Sequence, residues 1–478
     1  MTTAELENKT YFGDFEIENI VSEPTVNYGL FQEEIKDSQA EQFRIFNELE
    51  NGLPMFNGSS FGSQVHFQNA YQTPVQRWFP YREGYSTKLV NAFIKELKIT
   101  GNVFDPFSGS GTTLLAARTN NLNSFGIDVN PISVLVAKAE NEKYDETDID
   151  NLKSEIEILN ALLKSEEVFT TPFELAGKVF NSEILHTLLQ LKFHIKKIKN
   201  LKIQNLFFVA WLSIIEEVSN IKKEGNGIKY KNRKRTAKGY INIDKDVWEK
   251  QTFPDDKFVF VKTRLRLHLE NILTDIKYNY GDCEKKPKVF QGSCLEFDKL
   301  FSDEIEFTFY SPPYCNCFDY FEIHKVDLWL GDFVKNKEEF RLLRNTGFRS
   351  NTNSLNQKPI IYKNQYLENL ISLFNSEKLW NKRIPNVVRG YFDDTYTLLN
   401  KLFKQTSKGG YVGIVVGNSA YTGVIIPSDV LIANIAKEIG FTVKNIFVTR
   451  HLTTSSQQKK ELEVLKSYLR ESIILLEK

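Results

Sequence analysis

The sequence predicts an α/β protein: a mostly parallel, doubly wound sheet of seven strands, the last of them antiparallel, interrupted by a mainly helical insertion. Three observations lead there. Strand, helix, strand and helix follow one another between Asn102 and Glu140, which is how a parallel sheet with crossover helices begins. Residues from about 145 to 285 lose that alternation and read as mostly helical, after which strand patterns resume at Lys288–Gln291 and Ile305–Tyr310. A third strand group, Tyr411–Val416, Val443–Val448 and Ser472–Leu476, closes the chain around one more crossover helix over Ser428–Glu438.

The elements can be justified in chain order. Residues 1–75 read as an N-terminal arm, irregular apart from one helix near Ser38–Glu50, with polar, glycine-rich stretches such as NGSSFGSQ. From Ser86, a residue suited to cap a first turn, Leu89, Val90, Phe93, Ile94 and Leu97 fall on one helical face. A strand over Asn102–Asp105 leads through a glycine-rich turn into a helix over Thr112–Thr119. The strand Ser124–Asp128 and a helix over Pro131–Glu140, with proline in its first turn, complete the pattern. The insertion carries amphipathic stretches at Leu152–Leu163 and Ser182–Ile198 around a basic, glycine-containing segment, Lys222–Tyr240, expected to be an ordered loop. The limits are therefore an arm over 1–75, a catalytic domain made of 76–145 and 286–478, and an insertion over 146–285.

Composition narrows the classes of function. The 478 residues carry 61 basic and 61 acidic side chains, so any contact with a polyanion must come from a local patch. Neither a signal peptide nor an apolar run long enough to span a bilayer is visible, which predicts a cytoplasmic protein without membrane contact. Cys283, Cys294, Cys315 and Cys317 match no zinc spacing, so reduced thiols and no metal are expected.

Two short motifs carry chemistry. Asp105-Pro-Phe-Ser-Gly-Ser-Gly-Thr-Thr113 joins the first strand to a helix, and Gly109 and Gly111 allow backbone to approach a ligand closely. Asp128 ends the next strand, where a carboxylate can accept hydrogen bonds from ribose hydroxyls. No P-loop lysine follows the glycines, and Leu114 stands where a dinucleotide site has its third glycine. Asp105 at the loop entrance would repel a pyrophosphate but suits an ammonium group. Taken alone, the same residues also describe a tight strand-to-helix bend.

The second motif, Ser311-Pro-Pro-Tyr314, follows the strand EIEFTFY. Its prolines stiffen an extended turn and lack backbone donors, which leaves carbonyls free to accept. A structural proline bracket explains these residues; so does chemistry on an aromatic amine. The lone pair of such an amine is conjugated into its ring, and acceptors beside it stabilise positive charge as the nitrogen rehybridises. Tyr314 could stack on a base swung out of a duplex.

Together, DPFSGSGTT and SPPY resemble the cofactor and catalytic motifs of the DNA amino-methyltransferases, and the serine variant is similar to that of the N4-cytosine enzymes. WFPYREGYS before the first strand, YFDDTYTLLNKLF with KGGYVGIVVGNS, and RESIILLEK look like further segments of that family, so that about 300 residues are covered. The resemblance implies a Rossmann-like class I methyltransferase fold and S-adenosyl-L-methionine as cofactor. Asp105, Pro106, Phe107, Gly109, Gly111 and Thr112 would hold its methionine part and Asp128 its ribose, while Ser311, Pro312, Pro313 and Tyr314 would hold the flipped base. After the third strand the family often has an acidic residue, where this chain has Gln291-Gly-Ser-Cys294.

The function expected is site-specific methylation of cytosine N4 in double-stranded DNA within restriction-modification or phage defence, with a cognate endonuclease or defence proteins as partners. Adenine N6 is the nearest alternative. An RNA or protein amide methyltransferase and a non-catalytic nucleic-acid-binding protein are alternatives of other classes. Ile221–Tyr240 has eight Lys or Arg against one Glu, and its Lys229, Lys231, Arg233, Lys234 and Arg235 are the candidate DNA contacts. Arg341–Asn356 is a second candidate recognition element. A helix is expected over Phe318–Phe333, on which His324 reads as a packing residue rather than a base.

Overall fold

The computed structural model describes residues 10–19, 37–65, 72–79, 81, 84–225, 227–236, 239–279, 283–356, 358–453 and 460–478. The expectations for Pro80, Arg82 and Glu83 in the WFPYREGYS segment, for Asn226, Ala237 and Lys238 in the basic segment, and for much of the arm lie outside them.

In chain order the strands are Thr10–Phe12 (β1), Phe15–Asn19 (β2), Met55–Asn57 (β3), Val103–Asp105 (β4) and Ser124–Asp128 (β5). The insertion then supplies Ile221–Glu224 (β6), Gly227–Tyr230 (β7), Arg233–Thr236 (β8) and Gly239–Asn242 (β9). Lys288–Gln291 (β10), Ile305–Tyr310 (β11), Thr406–Gly417 (β12), Ser419–Tyr421 (β13), Val424–Ile426 (β14), Thr442–His451 (β15) and Arg470–Glu477 (β16) complete the set. One sheet runs β1-β2-β3-β15-β16-β12-β11-β4-β5-β10. It contains all seven expected strands, and β16 runs antiparallel to both β12 and β15. This is the Rossmann-like arrangement of a class I methyltransferase.

The sheet is wider than expected because the arm is not irregular. Its β3 pairs in parallel with β15, and β2 and β1 extend the edge. Strands of three to five residues leave too short a pattern to recognise, and their pairing partner lies almost 400 residues away. The arm helix, Asp37–Glu50, is pinned by a buried cluster in which Arg470 donates to Asp429 Oδ2 (2.7 Å) and Glu50 Oε1 (2.6 Å).

The insertion is mainly helical, with helices at Glu146–Ala161, Ser182–Ile195, Leu201–Ile214 and Lys257–Asn279. Asp145 and Asp148 form a capping box at the first, six residues ahead of the amphipathic stretch that marked it in the sequence. The basic segment expected to be a loop is instead two β-hairpins, β6–β7 and β8–β9. The insertion shares one apolar core with Pro131–Glu140 and with the region after the proline turn. Asp275 on its longest helix accepts from Val75 N, Trp78 Nε1 and Arg77. The helix expected over Phe318–Phe333 is two short ones, Tyr320–Ile323 and Lys325–Leu330, broken at His324.

What positions the site is strand order. From β4 the chain moves outward to β5 and β10, then returns to β11 on the other side of β4. The reversal point lies between β4 and β11, which run parallel with Phe307 opposite Val103 and Thr308 opposite Phe104. In an open α/β sheet, connections leave such a point in opposite directions and open a crevice at the carboxyl ends of the strands.

Candidate active site

Both motifs end strands at this reversal point, Asp105 closing β4 and Ser311 following β11. They line a single cavity of about 290 Å³. Its walls include Asp105, Pro106, Phe107, Gly109, Thr112 and Asp128 on one side and Ser311, Pro312, Pro313 and Tyr314 on the other. Sites separated by about 200 positions are thus brought together by one strand pair.

The glycine turn is built around a buried carboxylate, Asp105, and a partly buried one, Asp128. Asp105 Oδ1 accepts from Phe107 N (2.9 Å) and Oδ2 from the Tyr85 hydroxyl (3.1 Å). Asp128 Oδ2 accepts from Gly109 N (2.9 Å) and Oδ1 from Asn130 N (2.7 Å). Asp105 also accepts from the Thr113 hydroxyl, whereas each Asp128 oxygen keeps a second lone pair. Burial pushes Asp105 up to about 7 and Asp128 up to about 6, against the lowering effect of these same hydrogen bonds.

The two glycines differ in what they do. Gly109 has φ +49°, and a Cβ there would come within 2.8 Å of the Tyr81 ring. Its bare backbone faces the cavity. Gly111 does not line the cavity; at φ +92° it caps the helix Thr112–Thr119, and a Cβ would sit 2.7 Å from Asn141 Nδ2. Its contribution is close packing of that helix against Pro131–Glu140.

Tyr314 is held from two sides. Its hydroxyl donates to Glu471 Oε1 (2.6 Å), and Arg450 Nε donates to the other oxygen of that carboxylate (2.6 Å). A Cβ on Gly417 would lie 2.7 Å from Tyr314 Cε2, so the ring packs on bare backbone at the end of β12. Burial first, then the Glu471 carboxylate, push the phenol well above its usual value, while the Ser311 hydroxyl beside it acts the other way.

Other cavity residues were marked only weakly in the sequence, or not at all. Gly292, Ser293 and Cys294 line it with a neutral loop after β10. His324, read as a packing residue, is buried but belongs to the wall; its ring lies near Phe79 and Tyr81, and Nδ1 is 3.2 Å from Asp327 Oδ2. Arg450 and Glu471 also line it. A charged pair opening the otherwise apolar strand RESIILLE was the one available hint.

The candidate DNA contacts are outside the cavity. Arg233, Lys234 and Arg235 are exposed on β8, and Lys229 pairs with Glu224 (3.0 Å). Lys231 points inward, its Nζ donating to the carbonyls of Glu216 (2.5 Å) and Ser219 (2.9 Å). In the second candidate segment, Phe348, Ser350, Asn351 and Ser354 form cavity wall. Arg349 is buried there, bonded to Asp393 (2.5 Å) and Asp394 (2.6 Å). No helix among the described residues is long and apolar enough to cross a membrane.

Comparison with known proteins agrees with this geometry. A family described as DNA methylase matches residues 62–139, the stretch that holds the glycine turn and Asp128. The chain is 28% identical to the Type II methyltransferase M.BsoBI of Geobacillus stearothermophilus, with 87% of each chain covered. It is 26% identical to the Type II methyltransferase M.AvaI of Nostoc sp., covering 80% of this chain and 82% of that one. Strand order, the convergence of both motifs and these similarities agree in one direction: the chain is similar to DNA methylases over its glycine turn and to Type II methyltransferases over most of its length.

Proposed function

We propose that the protein transfers a methyl group from S-adenosyl-L-methionine to N4 of a cytosine flipped out of double-stranded DNA. The observation that supports this best is the single cavity shared by Asp105–Thr112 and Ser311–Tyr314. The residues fit the cofactor: Gly109 exposes backbone where a side chain would collide with Tyr81, and two carboxylates, Asp105 and Asp128, line the cavity beside it. Asp105, Pro106, Phe107 and Thr112 would hold the methionine part and Asp128 the ribose, with Gly111 supporting the turn from behind. When bound, the cofactor supplies a methyl group already activated on a sulfonium.

The chain's own residues then orient the acceptor. Tyr314, fixed by Glu471 and Gly417, offers a ring face for the base. The Ser311 hydroxyl and the Pro312 carbonyl accept from the exocyclic amine and stabilise the charge that develops on it. Pro313 keeps the turn extended. These groups need only hold a near-attack geometry.

Serine at the first motif position favours cytosine over adenine. Arg233, Lys234 and Arg235, with Lys229 beside them, supply the positive charge that draws in duplex DNA. Two relatives are Type II methyltransferases by name, which favours a role in restriction-modification alongside a cognate endonuclease. The test is transfer of labelled methyl from the cofactor to duplex DNA, tRNA or bulk protein, followed by hydrolysis of the product. N4-methylcytosine in duplex DNA is expected. N6-methyladenine would move the specificity to the adenine variant, and label only in tRNA or protein would overturn the reading.

A further inference from the structure

Among the described residues, the second hairpin of the insertion is exposed along both of its strands. All eight residues of β8 and β9 are exposed, among them Tyr240 (55%) and Ile241 (57%). A two-stranded ribbon with nothing packed on either face is marginally stable in water, so its mounting matters.

That mounting is stiff. The first hairpin alternates buried Ile221 and Lys223 with exposed Lys222 and Glu224. Lys223 forms a buried ion pair with Asp327, on the short helix that follows the proline turn. At the base of the second hairpin, Asn232 N donates to Asn220 Oδ1 (3.0 Å) and Asn220 Nδ2 returns a bond to Asn232 Oδ1 (3.0 Å). Asn232 Nδ2 also donates to the Ile243 carbonyl (2.8 Å), clamping the two strands where they leave the domain. With Lys231 bonded to the carbonyls of Glu216 and Ser219, the base is fixed.

The pairing register sorts the ribbon into two faces. Arg233 lies opposite Asn242, Lys234 opposite Ile241, Arg235 opposite Tyr240 and Thr236 opposite Gly239. Directly paired residues share a face and successive residues alternate. One face therefore carries Arg233, Arg235, Tyr240 and Asn242, and the other Lys234, Thr236 and Ile241. The Arg233 guanidinium lies 4.3 Å from the Tyr240 ring centre, across the diagonal of the first face. Arg235 and Asn242 sit on the remaining corners.

We propose that β8–β9 is the sequence-reading element of the protein, a ribbon laid in the major groove of duplex DNA with Arg235 and Asn242 toward base edges. This rests on the DNA methyltransferase reading above. The major groove admits a two-stranded ribbon, arginine matches guanine O6 and N7, and asparagine matches adenine N6 and N7. The described part of the ribbon has three cations and no acid, which complements phosphate on both groove walls. Four extended residues span about 13 Å, the rise of about four base pairs. Arg233, braced on Tyr240, stiffens the reading face, while Lys234 faces away from it toward a backbone strand.

The test uses the full-length protein and the Arg235→Ala, Asn242→Ala and Lys234→Ala variants. Modified-base mapping defines the site methylated by the parent. Methylation rates are then measured on that duplex and on duplexes altered at one base, with cofactor affinity as a control. Arg235→Ala and Asn242→Ala are each expected to reduce discrimination at one position by about tenfold or more, with cofactor affinity unchanged. Lys234→Ala should weaken all duplexes alike and reduce the salt slope of binding by about one. Unaltered discrimination in both the Arg235 and Asn242 variants would overturn the proposal while leaving the methyltransferase reading intact. Absence of methyl transfer to any duplex by the parent would instead defeat that reading.

Discussion

Replacing Tyr314 by phenylalanine and by alanine separates what its ring does from what its hydroxyl does. The phenylalanine variant keeps the ring on Gly417 and removes the hydroxyl with its bond to Glu471 Oε1 (2.6 Å) and its contact with the Ser311 hydroxyl. A hydrogen bond to a charged acceptor contributes about 1.5–3 kcal/mol. Glu471 keeps Arg450 at 2.6 Å, so the lower end, about 1.5 kcal/mol of folding stability, is expected. The alanine variant removes the stacking surface, which contributes about 1–3 kcal/mol per base. At about 1.4 kcal/mol for each factor of ten, turnover should fall roughly 5- to 150-fold. Single-turnover transfer of labelled methyl reads the chemistry, thermal unfolding reads the stability, and calorimetry reads cofactor affinity. Tyr314→Phe should unfold earlier yet methylate within a few-fold of the parent, and Tyr314→Ala should lose turnover. Both should bind cofactor normally, since the phenol contacts Glu471 rather than Asp105 or Asp128. If the phenylalanine variant is as slow as the alanine variant, the ring is not the working part and the stacking argument is wrong.

Further outcomes follow from the same geometry. Asp105 near 7 and Asp128 near 6 hold protons in the folded chain that they release at about 4 when unfolded. Their contribution to stability therefore falls as pH rises from about 4 to about 7. A cationic, hydroxyl-bearing ligand prefers the ionised forms, so cofactor affinity should rise between about pH 5.5 and 8. An affinity flat across that range would remove both carboxylates from the contact. Gly109→Ala and Gly111→Ala should both destabilise, because each forces a side chain into left-handed backbone against a neighbour. For Gly109→Ala the thermal shift produced by saturating cofactor should also shrink; for Gly111→Ala it should persist. Arg349→Met leaves Asp393 and Asp394 facing each other without their cation and should cost about 3–5 kcal/mol in denaturant unfolding. A smaller loss would mean that one carboxyl accepts a proton at little cost.

Much of the fold was legible because its signals are local. The turn from Asp105 to Thr113, the cap at Ser86, the proline that opens Pro131–Glu140, and the strands from Ser124 and Ile305 each depend on residues adjacent in the chain. Glycine, proline and alternating apolar residues restrict backbone within a few positions, and that restriction survives without tertiary context. The two motifs named the family for the same reason, since each fits inside one strand-to-helix or strand-to-loop turn.

Tertiary structure decided whatever depends on a partner far along the chain. The arm strands exist because β15 offers them an edge, and β6 to β9 form because hairpin pairing satisfies backbone groups that a polar, basic composition does not advertise. Arg349 and Lys231 looked like DNA contacts by charge alone. Asp393, Asp394 and the carbonyls of Glu216 and Ser219 turn both inward. Glu471, His324 and the cavity itself follow from the order of strands about β4 and β11. The sequence by itself determined which chemistry the short turns can perform; only packing determined which charges face solvent and that both turns open into one cavity. The physical reason is that a carboxylate or guanidinium is read by its surroundings, and those surroundings come from segments hundreds of residues away.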